Sequence, residues 1–156
     1  MTRLSLAVLA ITTCCLFGCT HEPPSLIPLD GSSVNNISAV AQVVEDRDFP
    51  IILRGLDGVL LKGIRVQTPF NKYTYVMQAG PHIFWGISSP YPHPLIPQRI
   101  RCYVIEATLV EGMKYRLVEE AGVKNALLVN DTTGENVAIG KLVDEPWVFE
   151  RGCRWK

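Results

Sequence analysis

The sequence predicts an all-β domain, an antiparallel β-sandwich, that follows an N-terminal export segment and a short tether. Apolar segments of strand length recur about every ten residues, with turn residues between them. A helix of three turns finds little support, because its best candidate, 111–123, contains Gly112 and places Tyr115 and Leu117 in a strand-like alternation. The chain has 156 residues, enough for one domain with a substantial core.

The first element is an export signal. Arg3 precedes an apolar run, 4–17, that ends at Gly18 and Cys19. One charge, a short apolar segment and a small residue are typical of a secretory signal. The run is shorter than the ~20 residues that a membrane-crossing helix needs. An ordinary signal peptide cut elsewhere and an uncleaved anchor are the alternatives.

The end of this segment resembles the lipobox of bacterial lipoproteins. Leu16, Gly18 and Cys19 match its aliphatic, small and cysteine positions, whereas Phe17 is larger than the usual residue. The resemblance implies that Cys19 is lipidated and becomes the N-terminus, so that acyl chains hold the protein on a membrane. Thr20 in place of Asp implies sorting to the outer membrane, facing the periplasm.

The chain is therefore expected to divide into three parts: signal peptide 1–18, lipidated tether 19–37 and β-sandwich domain 38–156. The tether is predicted from its prolines, glycine and serines and its lack of periodicity. Charges balance at 15 Lys and Arg against 15 Asp and Glu. Without a basic run, this composition gives no electrostatic case for a nucleic-acid partner.

The predicted strands are bounded by turn residues. The first, 39–44, keeps a helix as an alternative because it contains alanines, and Asp57-Gly58 is a hairpin signal between the next two. The segment 88–98 contains four prolines and is therefore a rigid loop rather than a central strand. In chain order, the strands are predicted at 39–44, 50–53, 59–66, 72–77, 82–88, 100–109, 114–118, 126–130 and 137–141.

Alternation assigns faces to the longer strands. One face of 100–109 carries Tyr103, Ile105, Ala107 and Leu109, so Cys102 points away from the main core. In the segment 72–77, the residues Tyr73, Tyr75 and Met77 share a face. In the segment 82–88, Ile83, Trp85 and Ile87 share one face and Phe84 lies on the other.

The cysteines support export. Of the five in the chain, Cys14 and Cys15 lie in the signal and Cys19 is the lipidation candidate. The remaining pair, Cys102 and Cys153, is predicted to form a disulfide in an oxidising compartment, with two free buried thiols as the alternative. Such a bond would tie the C-terminal tail to a strand in the middle of the domain and stabilise the fold by roughly 4 kcal/mol.

Four motifs occur in a characteristic order: GLDG at 55–58, MQAGPHI at 77–83, EGMKYRL at 111–117 and NDTTGE at 130–135. Together they resemble small bacterial envelope lipoproteins with a PEGA-like or carboxypeptidase-regulatory-like (transthyretin-like) β-sandwich. Here Ala-Gly-Pro-His replaces the Pro-Gly-(Lys or Arg)-His of that class. The resemblance implies a transthyretin-like fold and a binding or spacer role.

Catalytic signals are weak. His82 is expected to be structural, bonding a backbone carbonyl, and no spacing supplies the third ligand that a metal site with His82 and His93 would need. No serine lies in a nucleophile elbow such as Gly-x-Ser-x-Gly, and the Asp and Glu residues are scattered over predicted turns. The sequence thus predicts no catalytic residue, no metal and no cofactor.

Aromatic residues give the best binding candidates: Phe84, Tyr91 and His93 in or beside the proline loop, and Trp147 in the tail 147–156. Trp155 lies beside Arg154 in the same tail. The expectation is a non-enzymatic, lipid-anchored envelope protein with an envelope-protein or cell-wall partner. The alternatives are a subunit of a secretion machine, similar to the type VI outer-membrane lipoprotein, and a cell-wall or glycan hydrolase.

Overall fold

The computed structural model describes residues 25–30, 32, 35–46, 48, 51–62, 73–88, 98–120, 122–147 and 152–155. The signal peptide, Cys19, Tyr91 and His93 lie outside the described residues. Within them the chain forms ten strands and one 3-10 turn, Ile37–Ala39. The strands are β1 Ser25–Pro28, β2 Ala41–Glu45, β3 Ile51–Leu56, β4 Val59–Leu60, β5 Tyr73–Met77, β6 Gly80–Ser88, β7 Cys102–Leu109, β8 Lys114–Glu119, β9 Ala126–Asn130 and β10 Asn136–Asp144.

All ten strands join in one sheet, in the order β1-β5-β2-β8-β9-β10-β7-β6-β3-β4. The all-β prediction is confirmed, but the sheet is mixed, because β1 pairs with β5 and β2 with β8 in parallel. It curls into a half-barrel instead of separating into two antiparallel sheets. The continuity comes from β10, which pairs with β9 through Asn136–Gly140 and with β7 through Lys141–Asp144.

The curl of β10 depends on Gly140. A Cβ at this position would collide with Ile105 Cγ1 of β7 and lie 3.1 Å from the Cβ of Ala126 in β9. A bulge lies on either side of it in the strand, one between Asn136 and Ala138 and one between Leu142 and Asp144. Glycine and bulges are the means by which strands turn corners between packed layers.

The core fills the concave side of the half-barrel with side chains from seven strands. The predicted inward faces of β7 and β8 are confirmed, since Tyr103, Ile105, Tyr115 and Leu117 are all buried there. The largest fully buried side chains are those of Val43, Ile51, Val76, Met77, Phe84, Cys102, Tyr103, Ile105, Leu117 and Leu128.

Part of the segment 19–37, which the sequence predicts as a tether, takes part in the sheet. Ser25–Pro28 form the edge strand β1, and Ile27 and Leu29 pack against the core. Proline is tolerated in this strand because it lies at the edge of the sheet. The polar and proline-rich composition that suggested a tether thus belongs in part to the sheet.

Candidate functional site

A groove of about 700 Å³ lies on the outer face of the sheet. It is bordered by Leu60 of β4, Trp85 of β6, Val143 and Asp144 of β10, and Arg154 and Trp155 of the C-terminal tail. The bulge between Leu142 and Asp144 interrupts the alternation of β10, and both Val143 and Asp144 therefore line the groove. We call this site the Trp groove.

The C-terminal tail, residues 152–155, is fixed as one wall of the groove by three contacts. Cys153 forms the predicted disulfide with Cys102, with Cα atoms 5.8 Å apart. The backbone N–H of Arg154 donates to Asp144 Oδ2 at 3.0 Å. Trp155 stacks on Trp85, with ring centroids 5.6 Å apart and planes inclined by 1°. Cys102 is fully buried on the face of β7 opposite the core, as its alternation predicts.

Trp85 lies against the sheet because its partner in β3 is a glycine. Gly55 is opposite Trp85 in the register, and a Cβ there would lie 2.6 Å from Cε3 of the indole. Glycine inside a strand commonly marks such a close approach. One side of Trp85 therefore faces the backbone of β3, and Trp155 stacks on the ring from the tail.

Asp144 places a carboxylate at the groove, and both of its oxygens already accept hydrogen bonds from the protein. Oδ2 accepts from the backbone N–H and the Nε–H of Arg154, and Oδ1 accepts from the backbone N–H of Glu145 at 3.0 Å. The pKa of Asp144 is lowered below its usual value of 3.8. The hydrogen bond from the backbone N–H of Arg154 is the largest cause, and the bond from the Arg154 side chain is the next. The side chain of Arg154 is 88% exposed, so its terminal guanidinium nitrogens face solvent at the rim.

His82 joins two turns at another part of the fold. Its Nε2 lies 2.9 Å from the carbonyl of Gln78, and its Nδ1 lies 2.7 Å from Asp57 Oδ2. Asp57 Oδ1 also accepts from the backbone N–H of Ile83 at 2.7 Å. Both ring nitrogens face acceptors, so this arrangement suits the imidazolium. These contacts make His82 a structural residue that bonds a backbone carbonyl, as expected.

The charge state of His82 follows from the same contacts. Burial acts to lower its pKa, but the hydrogen bonds to Asp57 and to the Gln78 carbonyl, with the charges of Asp57 and Asp30, outweigh burial. The pKa of His82 is therefore raised above 6.5. We call His82, Asp57 and Gln78 the His82 cluster.

Two further carboxylates bond to tyrosines of the core. Glu45 is 3% exposed and accepts from the backbone N–H of Leu53 at 3.0 Å and the hydroxyl of Tyr75 at 3.3 Å. Glu119 accepts from the hydroxyl of Tyr103 at 2.8 Å and from Arg101 at 2.7 Å. Burial, followed by the bond to Glu119, raises the pKa of Tyr103. These groups hold the strand ends together and present no activated nucleophile.

Two of the predicted contact residues, Phe84 and Trp147, belong to the described part of the chain, and these two do not share a surface. Phe84 has no exposed surface and lies in the core, so its expected place in a contact surface is corrected. On β6 the inward side chains are His82, Phe84 and Ser88. On the opposite face Trp155 of the tail stacks on Trp85, whereas Ile83 is 43% exposed. Trp147 is 38% exposed and stacks with Arg99, 4.6 Å from Cζ to the ring centroid.

The sequence predicts the tail as a contact surface but gives no role to the residues on the sheet side of the groove. Trp85 was assigned a face without a role, and Leu60 and Asp144 were not singled out. Gly55 inside an apolar strand was the available signal, since it permits a large side chain opposite it. The meeting of Trp85 and Trp155 itself depends on the pairing of Cys102 with Cys153.

Within the described ranges, no three His, Cys, Asp or Glu side chains cluster as metal ligands. The same residues contain no helix with the length and apolarity needed to cross a membrane. Comparison with protein-family models, with curated protein sequences and with solved structures gives no match for this chain.

Proposed function

We propose that this protein is a lipid-anchored, non-enzymatic binding module of the cell envelope and that the Trp groove is its ligand site. The groove carries the proposal. Its volume of about 700 Å³ lies within the range of about 300–1,000 Å³ that is usual for ligand sites. Its border combines apolar and aromatic side chains with one ion pair, and tryptophan and arginine are enriched at recognition sites.

The anchoring part of the proposal rests on the N-terminal sequence. Gly18-Cys19 ends a short apolar run, and β1 begins at Ser25. Ser25 is six positions after Cys19 in the chain, and a fully extended chain of this length spans at most about 20 Å. Lipidation of Cys19 would therefore hold the half-barrel close to the membrane.

The binding role, as opposed to catalysis, is supported by how the polar side chains are used. Glu119 bonds to Tyr103 and Arg101, and His82 bonds to Asp57 and Gln78. Each of these groups is engaged in joining strands or turns of the fold. This use of polar groups is consistent with a binding module.

Anchoring is tested by intact mass and membrane fractionation of the natively expressed protein. We expect an acylated mature chain in the membrane fraction, and loss of acylation in Cys19→Ala. Cys15→Ala is the matched control, because it removes a cysteine of the signal, and its product should stay acylated. A soluble, unacylated wild-type product would contradict the anchor.

Binding is tested by co-sedimentation of the detergent-solubilised protein with purified cell-wall sacculi. We expect the wild type to sediment and Trp155→Ala to remain in solution. Trp147→Ala removes an exposed tryptophan outside the groove lining and should behave as the wild type. Equal sedimentation of Trp155→Ala and wild type would show that the groove is not the site.

A further inference from the structure

The Trp groove offers a ligand two kinds of surface. The first is an aromatic face: Trp85 covers one face of Trp155, so the other face of the Trp155 ring is the one that a ligand can contact. Leu60 and Val143, which are 58% and 41% exposed, extend this apolar surface. A ligand with a flat apolar face, of the size of a sugar ring, fits this part of the groove.

The second surface is a cation. Among the described residues that line the groove, Asp144 and Arg154 are the charged ones. Each carboxylate oxygen of Asp144 already accepts a hydrogen bond, and only Nε of the Arg154 guanidinium is bonded to it. The terminal guanidinium nitrogens remain as donors at the rim. Their planar geometry matches a carboxylate in a bidentate arrangement.

We propose that the groove binds an acidic glycan, a chain of pyranose rings that carry carboxylates. The apolar C–H face of a ring would lie on Trp155, while its carboxylate accepts hydrogen bonds from Arg154. The hydroxyl groups at the ring edges would stay hydrated, because the groove is open on its solvent side. This inference rests on the proposed function and specifies the chemistry of its ligand.

The test compares a negatively charged ligand with a neutral ligand that has the same pyranose rings. Trigalacturonate and its methyl ester share their rings, and esterification removes the negative charges. Titration of the lipidated full-length protein in detergent, followed by tryptophan fluorescence and calorimetry, should show on the order of tenfold tighter binding of the acid. The preference should shrink as salt is raised, because the Arg154 side chain is exposed.

Substitutions separate the contribution of the cation to binding from that of the aromatic face. Arg154→Gln should bind acid and ester equally, and Arg154→Lys should recover part of the preference. Arg99→Gln is the matched control, because Arg99 stacks on Trp147 outside the groove lining. Trp155→Ala should lose both ligands, with far-UV circular dichroism and the intact Cys102–Cys153 bond showing that the fold persists.

Two outcomes would overturn the inference. Equal affinity of the wild type for acid and ester, or an unchanged preference in Arg154→Gln, would remove the role of the cation. Binding of neither ligand by the wild type would remove the acidic glycan as the ligand class. Sedimentation with sacculi that still depends on Trp155 would in either case retain the proposed function, so the two failures are distinguishable.

Discussion

Trp155 stacks on Trp85 with the two indole planes inclined by only 1°, although the residues belong to the tail and to the middle of the sheet. The disulfide between Cys102 and Cys153 places the tail there, since Cys153 is two residues before Trp155. Asp144 adds a hydrogen bond to the backbone of Arg154. We therefore expect the groove to lose its second wall when this covalent bond is removed.

The disulfide should be the largest single contribution to stability from the tail. It connects residues separated by 51 positions, and the double substitution Cys102→Ala with Cys153→Ala should lower the free energy of unfolding by about 4 kcal/mol on the chain-entropy model. Denaturant unfolding measures this loss. The circular dichroism signal of the stacked indoles should disappear with it.

A reductant provides the control for this prediction. Reduction of the wild type should reproduce the loss of the indole signal, whereas the double variant should not respond. The core cluster contains neither cysteine nor any residue of the tail, so far-UV circular dichroism should still show the sheet. An indole signal that persists in the double variant would show that the tail is held without the disulfide.

Gly55→Ala should destabilise the domain by about 1–3 kcal/mol, the usual cost of overpacking. The new Cβ would lie 2.6 Å from Cε3 of Trp85 and 3.0 Å from the carbonyl of Val59. Trp85 must then move, which disturbs its stacking with Trp155. Thermal unfolding and the indole circular dichroism signal measure the two effects.

A mutant cycle with Trp85→Leu shows whether the clash is with the indole. If it is, Gly55→Ala should cost less in the Trp85→Leu background, with a coupling energy of about 0.5–3 kcal/mol. Equal costs in both backgrounds would mean that the carbonyl of Val59, and not Trp85, is the group that the methyl displaces.

The inward face of a strand can be predicted from the sequence where its two faces differ clearly in polarity. In β7, Tyr103, Ile105 and Leu109 alternate with Glu106 and Thr108, and the predicted face is the buried one. In β6 the outer face, with Ile83, Trp85 and Ile87, is the more apolar one, whereas the fully buried Phe84 shares the inner face with His82 and Ser88. Alternation alone therefore could not show that Phe84, and not Trp85, belongs to the core.

The second feature that the sequence does not predict is the pairing of strands that are distant in the chain. The parallel pairs β1–β5 and β2–β8 join segments distant in sequence, whereas turn signals such as Asp57-Gly58 report on neighbouring strands only. The curl of β10 around Gly140 converts the expected sandwich into a half-barrel. The groove could not be predicted from the sequence for the same reason, because the residues that line it are distant in the chain and meet only in the folded protein.

Tyr103→Phe should destabilise the domain by about 1–2 kcal/mol, because it removes a buried hydrogen bond to Glu119 and leaves that acceptor with fewer donors. The raised pKa of Tyr103 gives a second measurement, since burial and Glu119 keep the phenol protonated well above pH 10. Ultraviolet titration of the folded protein should find a tyrosine that ionises late, and that phenol should be absent in Tyr103→Phe.

Glu119→Gln is the companion variant. It keeps an oxygen acceptor for Tyr103 but removes the charge that opposes ionisation of the phenol and that pairs with Arg101. The Tyr103 pKa should therefore move back toward 10.0. An unchanged titration curve would assign the raised pKa to burial alone.

The His82 cluster should make stability fall as pH rises through neutrality. The folded pKa of His82 is raised above 6.5, so the stabilisation from its bonds to Asp57 and Gln78 is complete below pH 6.5. This stabilisation is lost as pH rises through the folded pKa, because the neutral imidazole keeps one N–H and can donate to only one of its two acceptors. Melting temperatures measured across this window should decrease with pH in the wild type.

Two substitutions isolate the cluster as the cause. His82→Gln removes the titrating group, and Asp57→Asn removes the charge that favours the imidazolium, so each should flatten the decrease in this window. Asp48→Asn changes an exposed carboxylate outside the cluster and should keep the wild-type slope. A His82→Gln variant with the full wild-type slope would show that another group governs the pH dependence, and the direct measurement of the His82 pKa by NMR would then decide whether the imidazolium forms at all.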